Sequence, residues 1–92
     1  MHEDTAHCDL FARDPDAFHD LRTQDTVRAT AEALAERTGT AAPSIEFLED
    51  RVRFFGAAGD VTLLGLVAEV RAITQRWHRK HHGAALWQGD DE

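Results

Sequence analysis

The sequence predicts an all-α fold, a small bundle of three to four helices. Three observations point there. Apolar residues recur at helical spacing over residues 17–35 and again over 63–77, each stretch follows a residue suited to cap a helix, and each is followed by glycine.

The elements follow in chain order. Residues 1–13 are polar around a small apolar island, Leu10 and Phe11. Asp14 then offers a capping side chain ahead of Pro15 and Asp16, and proline with acids in a first turn marks a helix start. From there Ala17, Leu21, Val27, Ala31, Leu34 and Ala35 gather on one side of a wheel, with Arg22, Thr26, Ala33 and Arg37 opposite. Phe18 falls off that stripe. Its position suggests a short helix to Arg22 and a fresh start at Thr23 or Asp25, with Phe18, Leu10 and Phe11 covering one end of the core. Gly39 is placed to end the helix.

Residues 44–55 have two readings. As a helix, Ile45, Leu48, Val52 and Phe55 share one face with Phe47 and Phe54 on its flank, and Glu46, Glu49, Asp50 and Arg53 take the other. As strands, the segment makes a hairpin about Glu49 and Asp50, pairing Ile45 with Phe54, Phe47 with Val52 and Glu46 with Arg53. Ser44 is a good N-cap after Pro43, acids precede arginines as the helix dipole prefers, and Glu49 with Arg53 is a favourable pair four apart. A tight two-residue hairpin would want glycine or asparagine at its turn. The helix is therefore the expectation. The alternative is an α+β fold with a hairpin at residues 45–55 between two helices.

Asp60 is expected to cap the last long helix, whose face is Leu63, Leu66, Val67, Val70, Ile73 and Trp77, with Thr74 and His81 along the same stripe. It should stop near Gly83, with Leu86 and Trp87 folding back onto the bundle. The expected organisation is a polar segment at 1–13, one helical domain at 14–88 and an acidic tail at 89–92.

Size and charge bound the function. A chain of 92 residues buries only about 60 to 65% of the surface it exposes unfolded, so the core is thin and association with another copy or a partner would add burial. The single cysteine, Cys8, excludes an internal disulfide and suits a reducing compartment; without a second thiol or a helix start to activate it, it reads as a bystander. The start Met1, His2, Glu3, Asp4 has the wrong charge for a secretory leader, and the longest apolar run, residues 61–70, is broken by Thr62, Gly65 and Glu69. A cytoplasmic protein with no membrane partner is expected.

The net charge of −7 weighs against nucleic acid as a partner. That charge is uneven: residues 1–50 carry twelve acids and four arginines, whereas residues 51–92 carry six basic and five acidic residues. The excess of arginine over lysine, with Lys80 the only lysine, speaks of the host's composition more than of function. Within 70–88 there is no acid at all.

That stretch holds the one chemical constellation that stands out, Trp77, His78, Arg79, Lys80, His81 and His82. On a helix His78 and His82 are four apart, and His81 could join them at a loosened end. Three histidines would suit zinc or nickel if His2, His7, Cys8 or a second copy supplied a further ligand, although the adjacent cations oppose a metal. No cofactor is otherwise expected. The plainer reading is that Arg76, Arg79, Lys80 and the histidines complement the negative end of a helix. The acids sit at helix starts and on solvated faces, and no phosphate loop, nucleophile elbow or spaced CxxC pair is present, which weighs against an enzyme.

The functional expectation is a small non-catalytic interaction or regulatory module, homodimeric, with Phe47, Phe54 and Phe55 as an association face. Arg76, Trp77, Arg79 and Lys80 would meet an acidic partner protein. The alternatives are a metal-binding protein using His78, His81 and His82, and a nucleic-acid-binding regulator using the basic corner.

Overall fold

A computed structural model describes residues 5–57 and 61–89 and has an α+β fold, which overturns the expected all-α helical bundle. In chain order the elements are strand β1 (Thr5–Phe11), one 3-10 turn (Ala17–His19), helix α1 (Leu21–Thr38), strands β2 (Ser44–Phe47) and β3 (Arg51–Ala57), and helix α2 (Val61–His82). The strands form one antiparallel sheet in the order β1-β3-β2.

Residues 44–55 are strands because two-residue alternation sorts their side chains better than a helical stripe does. Val52 and Phe54 are fully buried, and Ile45 and Phe47 pack on the same core face. A helix would have left two of the phenylalanines at its margin. Full burial of a large apolar side chain contributes about 1.5 to 3 kcal/mol, against about 1 kcal/mol for the Ser44 cap that favoured a helix. The register is Ile45↔Phe54, Glu46↔Arg53 and Phe47↔Val52, that of the hairpin alternative. Leu48 N–H donates to Arg51 C=O at 2.8 Å, leaving Glu49 and Asp50 as the turn. Among the described residues no non-glycine has a positive φ, so the turn forms from ordinary backbone and needs no glycine.

β1 lies where the sequence suggested only a polar segment. Its partner is β3, from Thr5↔Ala57 to Phe11↔Arg51. Ala6, Cys8, Leu10 and Ala12 alternate toward the helices, and His7, Asp9 and Phe11 toward the opposite, open face. A two-stranded hairpin is marginal alone, and this third strand gives β3 a neighbour on both sides.

Both helices cover one face of the sheet. The Asp14 side chain does meet the chain after Pro15, accepting from Asp16 N–H at 2.9 Å, but only the 3-10 turn follows. α1 starts after Asp20, whose carboxylate accepts from Arg22 N–H at 3.0 Å, and ends on Gly39 at φ 76°. Phe18, off the helical stripe, plugs the end of the core with its ring 5.4 Å from Phe47 and 5.7 Å from Trp87. α2 ends at Gly83, φ 74°. The expected cap Asp60 and residues 90–92 of the tail lie outside the described residues.

After α2 the chain returns as expected. Leu86 and Trp87 are buried, and Gln75 Oε1 accepts from both their N–H groups at 2.8 and 3.0 Å. Trp87 Nε1 donates to Thr74 Oγ1 at 2.9 Å. Trp87 also makes a bridge to Ala12, flanked by Arg13 N–H to Leu86 C=O and Gln88 N–H to Phe11 C=O, both 2.8 Å. The order β-α-β-β-α is that of a split β-α-β unit in which, among the described residues, this single bridge stands in place of a fourth strand.

Candidate functional site

Among the described residues the shortened fourth strand leaves an edge open. Phe11 C=O points outward to Gln88, while Ala12 N–H points inward to Asp50 C=O at 2.9 Å. Backbone groups alternate along a strand, so the odd residues of β1 turn their N–H and C=O groups away from β3. For Thr5, His7 and Asp9 nothing among the described residues pairs with those outward groups. The other edge, β2, is four residues long and follows Pro43, two features that blunt an edge.

α2 overhangs the open edge. A Cβ on Gly56 would lie 3.1 Å from Leu63, so α2 begins close on the end of β3, beside Ala6 through the Ala6↔Gly56 pair. Further along, Arg71 donates to Gln88 C=O and Gln75 accepts from Leu86 and Trp87, which places one flank of α2 above the returning tail. Leu64 lies on that flank two turns before Arg71. There the tail no longer reaches, and Leu64 is 60% exposed. Between this flank of α2 and the β1 edge runs a slot whose one end residues 86–88 fill, and among the described residues no backbone group pairs with the edge at Thr5, His7 and Asp9.

The open face of the sheet is built around Asp9. Arg53 grips its carboxylate with two hydrogen bonds, Nε to Oδ1 at 2.9 Å and Nη2 to Oδ2 at 3.0 Å, and Arg51 Nη1 stands 3.6 Å away. The Arg53 bonds, chiefly, hold the Asp9 carboxyl below its ordinary range against the opposing effect of burial. A carboxylate with a lowered native pKa contributes stability above its unfolded value, about 3.9, that disappears as pH falls through the native value. Asp9→Asn is therefore expected to lower stability near neutral pH by on the order of 1 to 2 kcal/mol, reduced from a fully desolvated pair because Arg53 is 28% exposed. Its urea midpoint should also fall less steeply than the native chain's as pH drops from about 5 to about 2.

The face is not a cationic platform. Arg53 is committed to Asp9, and Arg51 donates to Asp50 at 3.0 Å while lying over the Phe11 ring at 4.7 Å. Glu46 adds a further acid opposite Arg53.

Cys8 lies on the core side of β1 and is partly buried. Burial first, and then the Asp9 charge, push its thiol up from the ordinary value. Alkylation by iodoacetamide at pH 7 should accordingly be slow in the native chain and accelerate on unfolding in urea, as followed by mass spectrometry. Rapid native labelling would contradict this placement.

The expected sites fare unevenly. Phe47, Phe54 and Phe55 form no common association face: Phe54 is fully buried, Phe47 packs under Phe18 with Arg28 over its ring, and Phe55 stands on the open face beside His7. Strand alternation separates what a helix would have grouped. Arg76, Arg79 and Lys80 are exposed and Trp77 half-buried, near His81 and His82. The rings of His78 and His82 stack at 4.4 Å, but a His78 ring nitrogen is 2.7 Å from Ala84 C=O and His82 Nε2 is 3.9 Å from Asp20. Among the described residues no three His, Cys, Asp or Glu side chains converge as metal ligands. Through the His82 contact the start of α1, at Asp20, meets the basic end of α2, while Asp16 faces His19 at 3.8 Å.

A separate hollow of about 330 Å³ lies between Leu34 and Thr38 of α1 and Thr62, Leu66 and Glu69 of α2, with one carboxylate and hydroxyls as its polar groups. No helix among the described residues is long and apolar enough to cross a membrane. Compared with family profiles, curated proteins and solved structures, the chain matches none.

Of the residues beside the slot, Asp9 and Leu64 were not singled out by sequence reasoning, and His7 was singled out only as a possible metal ligand. A signal existed in the alternation of Ala6, Cys8, Leu10 and Ala12 with His7, Asp9 and Phe11.

Proposed function

We propose that this chain is a non-catalytic interaction module that accepts an extended strand from a partner along the outer edge of β1. The carrying observation is the set of outward backbone groups at Thr5, His7 and Asp9, without a partner among the described residues, beside an α2 flank on which Leu64 is exposed. An incoming strand would gain main-chain hydrogen bonds from the edge and apolar contact from the helix flank, the two ingredients of recognition by strand addition. Its other wall, the tail bridge at Ala12, would set where the strand stops.

A panel of isotope-edited spectra tests this reading. Adding a synthetic peptide with the sequence of Thr5–Phe11 should shift the amide signals of His7 and Asp9 and slow their hydrogen exchange. His7→Pro, which removes one outward N–H at an edge where proline is tolerated, should abolish the effect. Peptide-induced shifts confined to α1 or to the basic end of α2 would refute the reading.

A further inference from the structure

We infer that the occupant of the slot is a second copy of this chain, its β1 running antiparallel to the first about a twofold axis at His7. This joins two three-stranded sheets into one of six strands. The inference rests on the strand-accepting reading above.

The register follows from which edge groups are engaged. An axis at His7 pairs Thr5 with the partner's Asp9, His7 with the partner's His7, and Asp9 with the partner's Thr5, each pair exchanging both N–H···O bonds. All three outward residues are then used. Moving the axis to Asp9 would require Phe11, whose carbonyl already accepts from Gln88. A twofold contact is self-complementary, and this strand meets that demand. On the core side Ala6 falls opposite the partner's Cys8, two small side chains. On the open face each His7 lies diagonal to an Asp9 of the other copy, alternating an imidazole with a carboxylate that the pair places in reach of one another.

The helix flank adds apolar burial. Leu64, 60% exposed and next along α2 to Leu63, which lies against Gly56, the β3 residue paired with Ala6, would be covered by the incoming copy. An open edge strand of seven residues without proline is also a template for uncontrolled pairing, and a closed twofold contact removes it.

Sedimentation of the full chain from low to high micromolar concentration tests the inference. A reversible dimer is expected, with Leu64→Asp and His7→Pro each raising its dissociation constant by about tenfold or more. Circular dichroism checks the fold of His7→Pro, and Leu64→Asp carries the test if that variant is unfolded. Register is read by cross-linking. The hydrogen-bonded pair brings two Cα atoms to about 5.5 Å, within disulfide range, so Cys8→Ala/His7→Cys should form a covalent dimer under mild oxidation. Cys8→Ala/Glu46→Cys should not.

A native chain that stays monomeric while the Thr5–Phe11 peptide still protects His7 and Asp9 would overturn the dimer and leave the strand-accepting edge standing. A dimer indifferent to both substitutions, together with no peptide protection, would overturn both. A dimer weakened by the substitutions but linked only through Glu46→Cys would overturn the His7 axis.

Discussion

Trp87→Ala is expected to lower the free energy of unfolding by about 3 to 5 kcal/mol, the range for removing a large aromatic ring from a packed core. The ring is fully buried, touches Phe18 at 5.7 Å between centroids, and donates from Nε1 to Thr74 Oγ1. The substitution would open a cavity, leave Thr74 without that donor and unpin the tail that bridges Ala12. For a domain of this size, with roughly 5 to 15 kcal/mol in total, that is a large fraction of stability. The thermal midpoint should drop by roughly 15 to 30 °C. Urea denaturation would show it, and a loss below about 1 kcal/mol would mean that the ring is not docked in solution.

Gln75→Leu is the second large effect, for a different reason. The side chain is 4% exposed, and its single oxygen accepts from two backbone N–H groups, those of Leu86 and Trp87. A leucine fills a similar volume but supplies no acceptor, and each buried N–H left without one costs about 1 to 3 kcal/mol. The chain can limit that cost by releasing residues 84–88 to water. We therefore expect a loss of about 2 to 4 kcal/mol, with hydrogen exchange accelerated more at Leu86 and Trp87 than at Val52 or Phe54. Because the two substitutions detach the same segment, their combined effect should fall short of the sum of the single effects. Equal acceleration across the sheet would show that Gln75 supports the whole core and not the tail alone.

The two substitutions bear on the slot as well. The docked tail occupies one end of the β1 edge through Gln88 and Phe11, so loosening it would expose more edge to an incoming strand. Both variants, where folded, should therefore show weaker control of where a partner strand stops.

The helices were legible because their signals are local. A capping aspartate, an apolar stripe and a left-handed glycine at Gly39 operate within a few residues. The return of Leu86 and Trp87 was legible too, since two large apolar residues after a helix end have few places to go. The helix start drawn at Asp14 was displaced to Asp20, with a 3-10 turn between, because the capping side chain at Asp14 reaches only Asp16.

The strands were the failure, and the reason is nonlocal. In residues 44–55 the apolar residues satisfy both a helical and an alternating pattern, so the choice falls to what each face meets. β1 decides it: Cys8 pairs with Phe54 and Leu10 with Val52, across more than forty residues of sequence. Its own pattern is masked by polarity, since His7 and Asp9 face outward and Ala6 and Cys8 are small. The Asp9 to Arg53 pair is of the same kind. Sequence spacing offered Arg53 the nearby Glu49 or Glu46, and the sheet brought Asp9 instead.

By itself the sequence determined the two long amphipathic helices, their stops and the docking of Leu86 and Trp87, because propensity, capping and helical periodicity act within a turn or two. Only the tertiary structure decided that residues 44–55 are strands, that β1 exists, and that among the described residues one edge of the sheet is left open. Strand pairing is a contact between distant segments, and its energy appears only once the chain has brought them together.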